Sequence, residues 1–203
     1  MHLPPRARTK LLLLLTLLAS CNSVYTPKRR GYFRIDFPEH RYQTFKDPGY
    51  PYTFEYPVYA KVVRDSSYFD TVPENPWWIN VDFPQFDARI YISYKDIGPI
   101  GGKPGNSFDK LRDDAYKLTF KHTYKASSID DSTFITPNGV SGVYFKVGGN
   151  AATAKQFFVT DTTRHFLRGA LYFDTAPNED SLGIVNQFLG VDMDHLINTF
   201  HWK

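Results

Sequence analysis

The sequence predicts an α+β fold, an antiparallel β-sheet with helices packed on its faces. Three observations carry this. Period-two stretches rich in aromatic and β-branched residues recur in pairs joined by short turns, the pattern of β-hairpins. Two other stretches space their apolar residues at three and four, as an amphipathic helix does. The helical stretches lie apart along the chain, each after a run of strands, which favours antiparallel pairing over the strict alternation of a parallel sheet.

The N-terminus reads as an export signal. Arg6, Arg8 and Lys10 precede an apolar run over residues 11–18 broken only by Thr16, a charged region followed by an apolar one. Eight helical residues rise about 12 Å, well short of the ~20 residues that cross a bilayer core. Leu18-Ala19-Ser20-Cys21 then places two small residues before a thiol, as the bacterial lipobox does. The expected organisation is a cleavable signal peptide over 1–20, a lipidated tether and irregular lead-in over 21–50 starting at Cys21, and a single α+β domain over 51–203. Cys21 is the sole cysteine, which excludes an internal disulfide. Two or three acyl chains such as palmitate, at about 0.8 kcal/mol per buried CH₂, would hold the protein on a membrane. Pro27, Pro38, Pro48 and Gly49 interrupt regular structure in the lead-in.

From residue 52 the elements follow in order. Tyr52, Phe54 and Tyr56 alternate with Thr53 and Glu55, and residues 59–63 continue extended after Pro57. Residues 77–83 (WWINVDF) and 88–94 (ARIYISY) form a hairpin with Pro84 and Asp87 in the turn. Four glycines and two prolines over 97–106 predict irregular chain. Asn106 or Ser107 then caps a helix over 107–125, with Phe108, Leu111, Ala115, Leu118 and His122 on one face and Lys110, Arg112, Asp113, Asp114 and Lys117 opposite. Residues 133–136 and 140–147 pair across Pro137-Asn138-Gly139, whose Asn-Gly step suits positive φ. Residues 155–161 and 165–173 pair across Thr162-Thr163-Arg164. Asn178 or Asp180 caps a last helix striped by Leu182, Val185, Leu189, Met193, Leu196 and Phe200. This order also resembles the PsbP/Mog1-like sandwich, a likeness of fold that says nothing of function.

Composition removes one function class. The chain carries 24 Lys and Arg against 21 Asp and Glu, but three of the basic residues lie in the signal, so the mature protein is neutral. The charge argument for a nucleic-acid partner goes with them. Lys28-Arg29-Arg30 and Arg34, close after the anchor, could meet anionic headgroups at about 1 kcal/mol each or form a solvated linker.

The residues offer little chemistry. Gly139-Val140-Ser141-Gly142 lacks the spacing of a nucleophile elbow. Gly101-Gly102-Lys103-Pro104 puts proline where a phosphate loop needs Ser or Thr. His195 shares a helix face with Asp192, near Asp194, but His201 is six residues on, a poor spacing for a metal site. His122 reads as a hydrogen-bonded boundary histidine. No metal, cofactor or catalytic group is expected. The candidate partner or ligand rim is Asn150, Gln156, Asp161, Arg164 and Arg168, with Thr153, Thr162 and Thr163 beside them; the plainer reading is turn chemistry on a solvent-facing strand. Trp77, Trp78, Tyr91, Tyr94, Phe157, Phe158, Tyr172 and Phe173 must divide between the two sheet faces, so either helices cover both or one presents a sticky patch.

Several motifs together resemble a known family. Cys21-Asn22-Ser23, Pro27-Lys28-Arg29, Arg34-Ile35-Asp36-Phe37-Pro38, YTFEYP at 52–57, FPQFDARIYISYK at 83–95, HTYKA at 122–126, GNAATAKQFFVTDTTRHFLRGALYF at 149–173, PNEDSL at 177–182 and TFHWK at 199–203 are similar to the gliding-motility lipoprotein GldD family of the Bacteroidetes. The resemblance implies a place in gliding motility and the associated type IX secretion system, on the periplasmic side of the envelope, with a membrane protein such as GldE as partner. It also implies cysteines in relatives near the positions of Tyr50 and Pro76, hence a disulfide that this chain lacks. The family offers no catalytic motif, so only Cys21 carries over.

The leading expectation is therefore a non-catalytic accessory lipoprotein that binds protein partners in the motility and secretion apparatus. The alternative is a ligand-binding envelope lipoprotein with a pocket between sheet and helices. A hydrolase of envelope polymers would need a cleft with clustered carboxylates or a Ser–His contact.

Overall fold

The computed structural model describes residues 34–65, 73–100 and 103–203. The expected signal peptide, Cys21 and the basic group at 28–30 lie outside the described residues, as do Gly101 and Gly102. The chain divides into Met1–Ile35, of which only Arg34 and Ile35 are described, and a compact unit over Asp36–Lys203.

That unit is α+β, as expected. Its main sheet has seven antiparallel strands in the order β3 (Lys61–Arg64), β4 (Ile79–Phe83), β5 (Ala88–Asp96), β11 (His165–Phe173), β10 (Lys155–Thr160), β9 (Ser141–Gly149) and β8 (Ala126–Ile135). A small sheet orders β1 (Tyr42–Phe45), β2 (Tyr52–Pro57) and β12 (His201–Trp202), and β6 (Gly98–Ile100) pairs with β7 (Lys103–Asn106). The α-helices among the described residues are α1 (Phe108–Phe120) and α2 (Glu179–Asn198), and a 3₁₀ turn over Pro84–Phe86 joins β4 to β5.

Local chemistry explains the boundaries. Ser107 caps α1 by accepting from the Lys110 amide, and Asn178 caps α2 by accepting from that of Ser181. Gly139 has φ 75° in the β8–β9 turn, a left-handed backbone that glycine adopts without steric penalty. At the β10–β11 tip, Thr162 has φ 64°, and Asp161 Oδ1 accepts from the amides of Thr163, Arg164 and His165 at 3.0, 2.8 and 2.8 Å. Burial alone would raise the Asp161 carboxyl, but these donors outweigh it and hold its pKa below the usual range.

Strand alternation then sorts side chains between two layers. Ile79, Val81, Ile90, Ile92, Phe157, Val159, Leu167 and Leu171 point to one face, where they meet Tyr52 and Phe54 of β2, Val185, Leu189, Met193 and Leu196 of α2, and Phe200. Val143, Phe145, Phe158 and Phe166 point to the other, where Leu111 and Ala115 of α1 cover them. Each large apolar side chain fully buried this way contributes about 1.5–3 kcal/mol.

Several expectations differ from the structure: Phe200, expected on the last helix, follows its end at Asn198, and residues 59–60, expected to be extended, form a turn before β3. The lead-in expected to be irregular over 21–50 contains β1, paired with β2 from Tyr42↔Pro57 to Phe45↔Phe54. Its exposed Gln43 and Thr44 gave no apolar alternation. The stretch over 97–106 forms the β6–β7 ribbon, with Gly98 at φ 95° supplying the irregularity. The helix expected over 107–125 stops at Phe120, and His122 sits in the turns that follow. Strand β8 begins at Ala126, seven residues earlier than expected, because this edge strand keeps few apolar residues along ASSIDDSTFI.

Candidate functional site

The five expected rim residues fall in three places. Asp161 and Arg164 belong to the β10–β11 tip, where Asp161 is occupied in turn formation and Arg164 is exposed, its carbonyl accepting from Ile97 N at 2.8 Å. Asn150, beyond the opposite end of β10, accepts from the Glu179 amide at 2.9 Å and steadies the start of α2. Gln156 and Arg168 alone are brought together. Both are buried on the α1 face of the sheet, and an Arg168 Nη2 hydrogen donates to Gln156 Oε1. Gln156, 0% exposed, also accepts from Thr119 Oγ1 of α1 at 3.1 Å, while its own Nε2 has no hydrogen-bond partner among the described residues. Thr153 is buried, and its hydroxyl donates to the carbonyl of Lys155.

Around Arg168 the structure forms a cleft of about 350 Å³ between α1 and strands β5 and β11. Antiparallel register sets Arg168 opposite Ser93 and Phe166 opposite Lys95, and these four line the sheet side. Helix α1 supplies Leu111, Asp114, Lys117 and Leu118, and its C-cap residue, Lys121, also lines the cleft. Four cations thus face one carboxylate. Lys117 reaches Asp114 at 3.9 Å, and Lys95 is held by the exposed Glu74 at 2.7 Å. Arg168 is 8% exposed, and its hydrogen bond to Gln156 is its sole polar contact among the described residues. An arginine does not shed its proton in a protein, so a charge stays in a largely desolvated place without a counter-charge among the described residues. The field reaches the half-buried His122, whose pKa is lowered by burial and then by the Arg168 cation.

A second polar cluster lies on the opposite layer. Asp192, 1% exposed on α2, accepts from His40 Nδ1 at 2.7 Å, Tyr42 OH at 3.1 Å and Tyr59 OH. Burial, the Asp192 charge and the hydrogen bond to it push the Tyr42 phenol up to about 12. His195, one turn on, bonds Glu55 Oε2 at 2.8 Å and stacks on Tyr42 with ring centroids 3.5 Å apart. Phe37 stacks on Phe188 at 4.4 Å. The candidate ligands Asp192 and His195 thus serve different partners, His201 is exposed on β12, and among the described residues no group of three metal-ligating side chains occurs. The cluster fastens the lead-in to α2.

The remaining candidates are placed as follows. Ser141 opens β9, and among the described residues no serine hydroxyl bonds a histidine. Trp78, Tyr94, Phe157 and Phe158 are buried, while Tyr91 and Tyr172 meet edge to face at 5.7 Å and stay half-buried on the α1 side. Tyr50 and Pro76 line one cleft, and Trp77 Nε1 donates to the carbonyl of Gly49 at 2.7 Å between them. Sequence reasoning missed Lys117 and Lys121 as site residues, since Lys117 reads as part of a solvated helix face. The available signal was their spacing of four, which puts both at one margin of α1.

A family model described as gliding motility lipoprotein GldD matches residues 22–202. No curated protein matches the chain. Among solved structures, the solution structure of cyanobacterial PsbP (CyanoP) from Synechocystis sp. PCC 6803 is similar at 13% identity, covering 82% of this chain and 95% of that one, with a TM-score of 0.47.

Proposed function

The chain belongs to the gliding motility lipoprotein GldD family, and from that premise we propose that it is a lipid-anchored, periplasm-facing adapter, without catalysis of its own, in gliding motility and the associated type IX secretion machinery. The observation that carries this is the fastening of the lead-in. Asp36 is the fifteenth residue after Cys21, at most about 50 Å of extended chain away. Directly after it Phe37, His40 and Tyr42 are bound to α2 through Phe188 and Asp192. A domain leashed this closely to a lipidated cysteine is held within reach of a membrane protein, and GldE is the partner we expect. The lipobox at Cys21 and the single cysteine support the anchor.

The test is affinity purification of the full-length lipidated protein from its native membranes beside a Cys21→Ala control. The expected result is co-purification of motility or secretion-system membrane proteins, GldE among them, reduced in the control. Recovery of no such protein with the lipidated form would overturn the adapter reading.

A further inference from the structure

We infer that the cleft between α1 and strands β5 and β11 is a binding site for a phosphate group, with the Arg168 guanidinium at its floor and Lys95, Lys117 and Lys121 at its margin. This goes beyond the adapter role and does not depend on it.

Three observations converge. Arg168 is more than nine-tenths buried, lines the cleft, and has no ion pair with a described carboxylate. Gln156, in turn held by Thr119 of α1, fixes one edge of the planar guanidinium, leaving its other N–H donors available in the fork geometry that suits a phosphate. The lining is also unbalanced in sign. Asp114 is its one carboxylate and meets Lys117 at a long 3.9 Å, so Lys117 can turn to a stronger anion, and Lys121 has no acidic partner among the described residues.

The size of the cleft, about 350 Å³, admits a small phosphorylated molecule or a lipid headgroup. Phe166, Leu111 and Leu118 add apolar wall for whatever the phosphate is attached to. The phosphate is the shared chemistry, and its source is decided by experiment.

Full-length lipidated protein in a non-ionic detergent is titrated calorimetrically with inorganic phosphate and, separately, with dihexanoyl phosphatidic acid; dihexanoyl phosphatidylcholine is the zwitterionic control. Saturable binding of inorganic phosphate, weakened at least ~30-fold by Arg168→Gln and ~3-fold by Lys121→Ala, supports the site and shows a free phosphate suffices. Binding of phosphatidic acid alone, lost in the same variants and absent with phosphatidylcholine, supports the site and assigns the phosphate to lipid. In either case the His122 ring, followed by NMR, titrates at higher pH in the complex because the Arg168 charge is neutralised. Absence of binding, equal binding of phosphatidylcholine, or binding unchanged in the variants overturns the proposal. Should Arg168→Gln fail to fold by circular dichroism, the double variant Lys117→Glu/Lys121→Glu, at two exposed positions, decides instead, and affinity must then fall at least ~10-fold.

Discussion

The two faces of the seven-stranded sheet are built from the same strands and do opposite things. On the α2 face, Ile79, Val81, Phe83, Ile90, Ile92, Phe157, Val159, Leu167 and Leu171 are almost fully buried, and Tyr52 and Phe54 of β2 with Trp202 of β12 pack against this core. On the α1 face, the alternate residues of those strands include Asn80, Asp82, Arg89, Ser93, Lys95, Gln156 and Arg168, and one helix of 13 residues packs on this face through Leu111 and Ala115. Hydrophobic burial scales with area removed from water, so stability resides mainly on the first face. The second keeps charges at a partly desolvated margin, where they act on a ligand more strongly than in bulk water.

The largest effects expected from this difference are in core truncations. Phe157 is 0% exposed and fills the space above Gly169, where an added Cβ would come within 2.2 Å of its ring. Phe157→Ala is expected to lose about 4 kcal/mol in urea unfolding. Leu111→Ala on the α1 face is expected to lose about 2 kcal/mol, because the apolar cluster it joins is much smaller than the one around Phe157. Equal losses would break the comparison and make α1 as much a core element as α2.

Next comes the fastening of the lead-in. Asp192→Asn replaces a carboxylate that accepts from His40, Tyr42 and Tyr59 by an amide with one acceptor oxygen, and is expected to lose about 2 kcal/mol. Hydrogen exchange should report it locally. Amides of β1 are expected to lose protection while those of β10 and β11 keep theirs. Uniform loss across the sheet would show that the lead-in is integral to the α2-face core rather than strapped onto it.

Acidification should distinguish the faces more gently. His165, beside Tyr94 and Trp202 on the α2 side, and His122, beside Arg168 on the α1 side, both have lowered pKa values, each first because of burial. The unfolded chain therefore binds protons more readily than the folded one, and stability falls as pH drops below about 6.5. His122→Gln is expected to flatten that decline at least as much as His165→Gln, since burial and the Arg168 cation both act against protonation of His122, whereas the Asp161 and Asp96 carboxylates offset part of the burial at His165. Thermal melts between pH 7.5 and 5 read both.

What was legible in the sequence was local. The hairpins β4–β5 and β10–β11, the α2 stripe and the caps at Ser107 and Asn178 all depend on neighbours a few residues away. Strands β1, β8 and β12 depend on distant partners. His201 pairs with Thr53, and a two-residue strand has no period of its own. The site was half legible for the same reason. Gln156 and Arg168 stand out as polar residues in aromatic strands, but only the register of β11 against β5 sets Arg168 beside Ser93, and only the packing of α1 brings Lys117 and Lys121 to it. Asp161 and Arg164, close to Arg168 in sequence, go to the hairpin tip.

The smallest effect is the most diagnostic, because its expected sign is unusual. A buried charge lacking a counter-ion is costly, and replacing one by an apolar side chain of similar length is often neutral or stabilising. In phosphate-free buffer Arg168→Met is therefore expected to change stability by no more than about 1 kcal/mol, in the direction of a gain, since a desolvated guanidinium is removed and Gln156 Oε1 keeps the Thr119 donor. Wild type alone should then gain melting temperature as phosphate is added, because a ligand that binds only the folded state stabilises it by mass action. A loss of 2 kcal/mol or more on removing the charge would mean that Arg168 organises the sheet through Gln156, and the division into a face that folds and a face that binds would have to be abandoned.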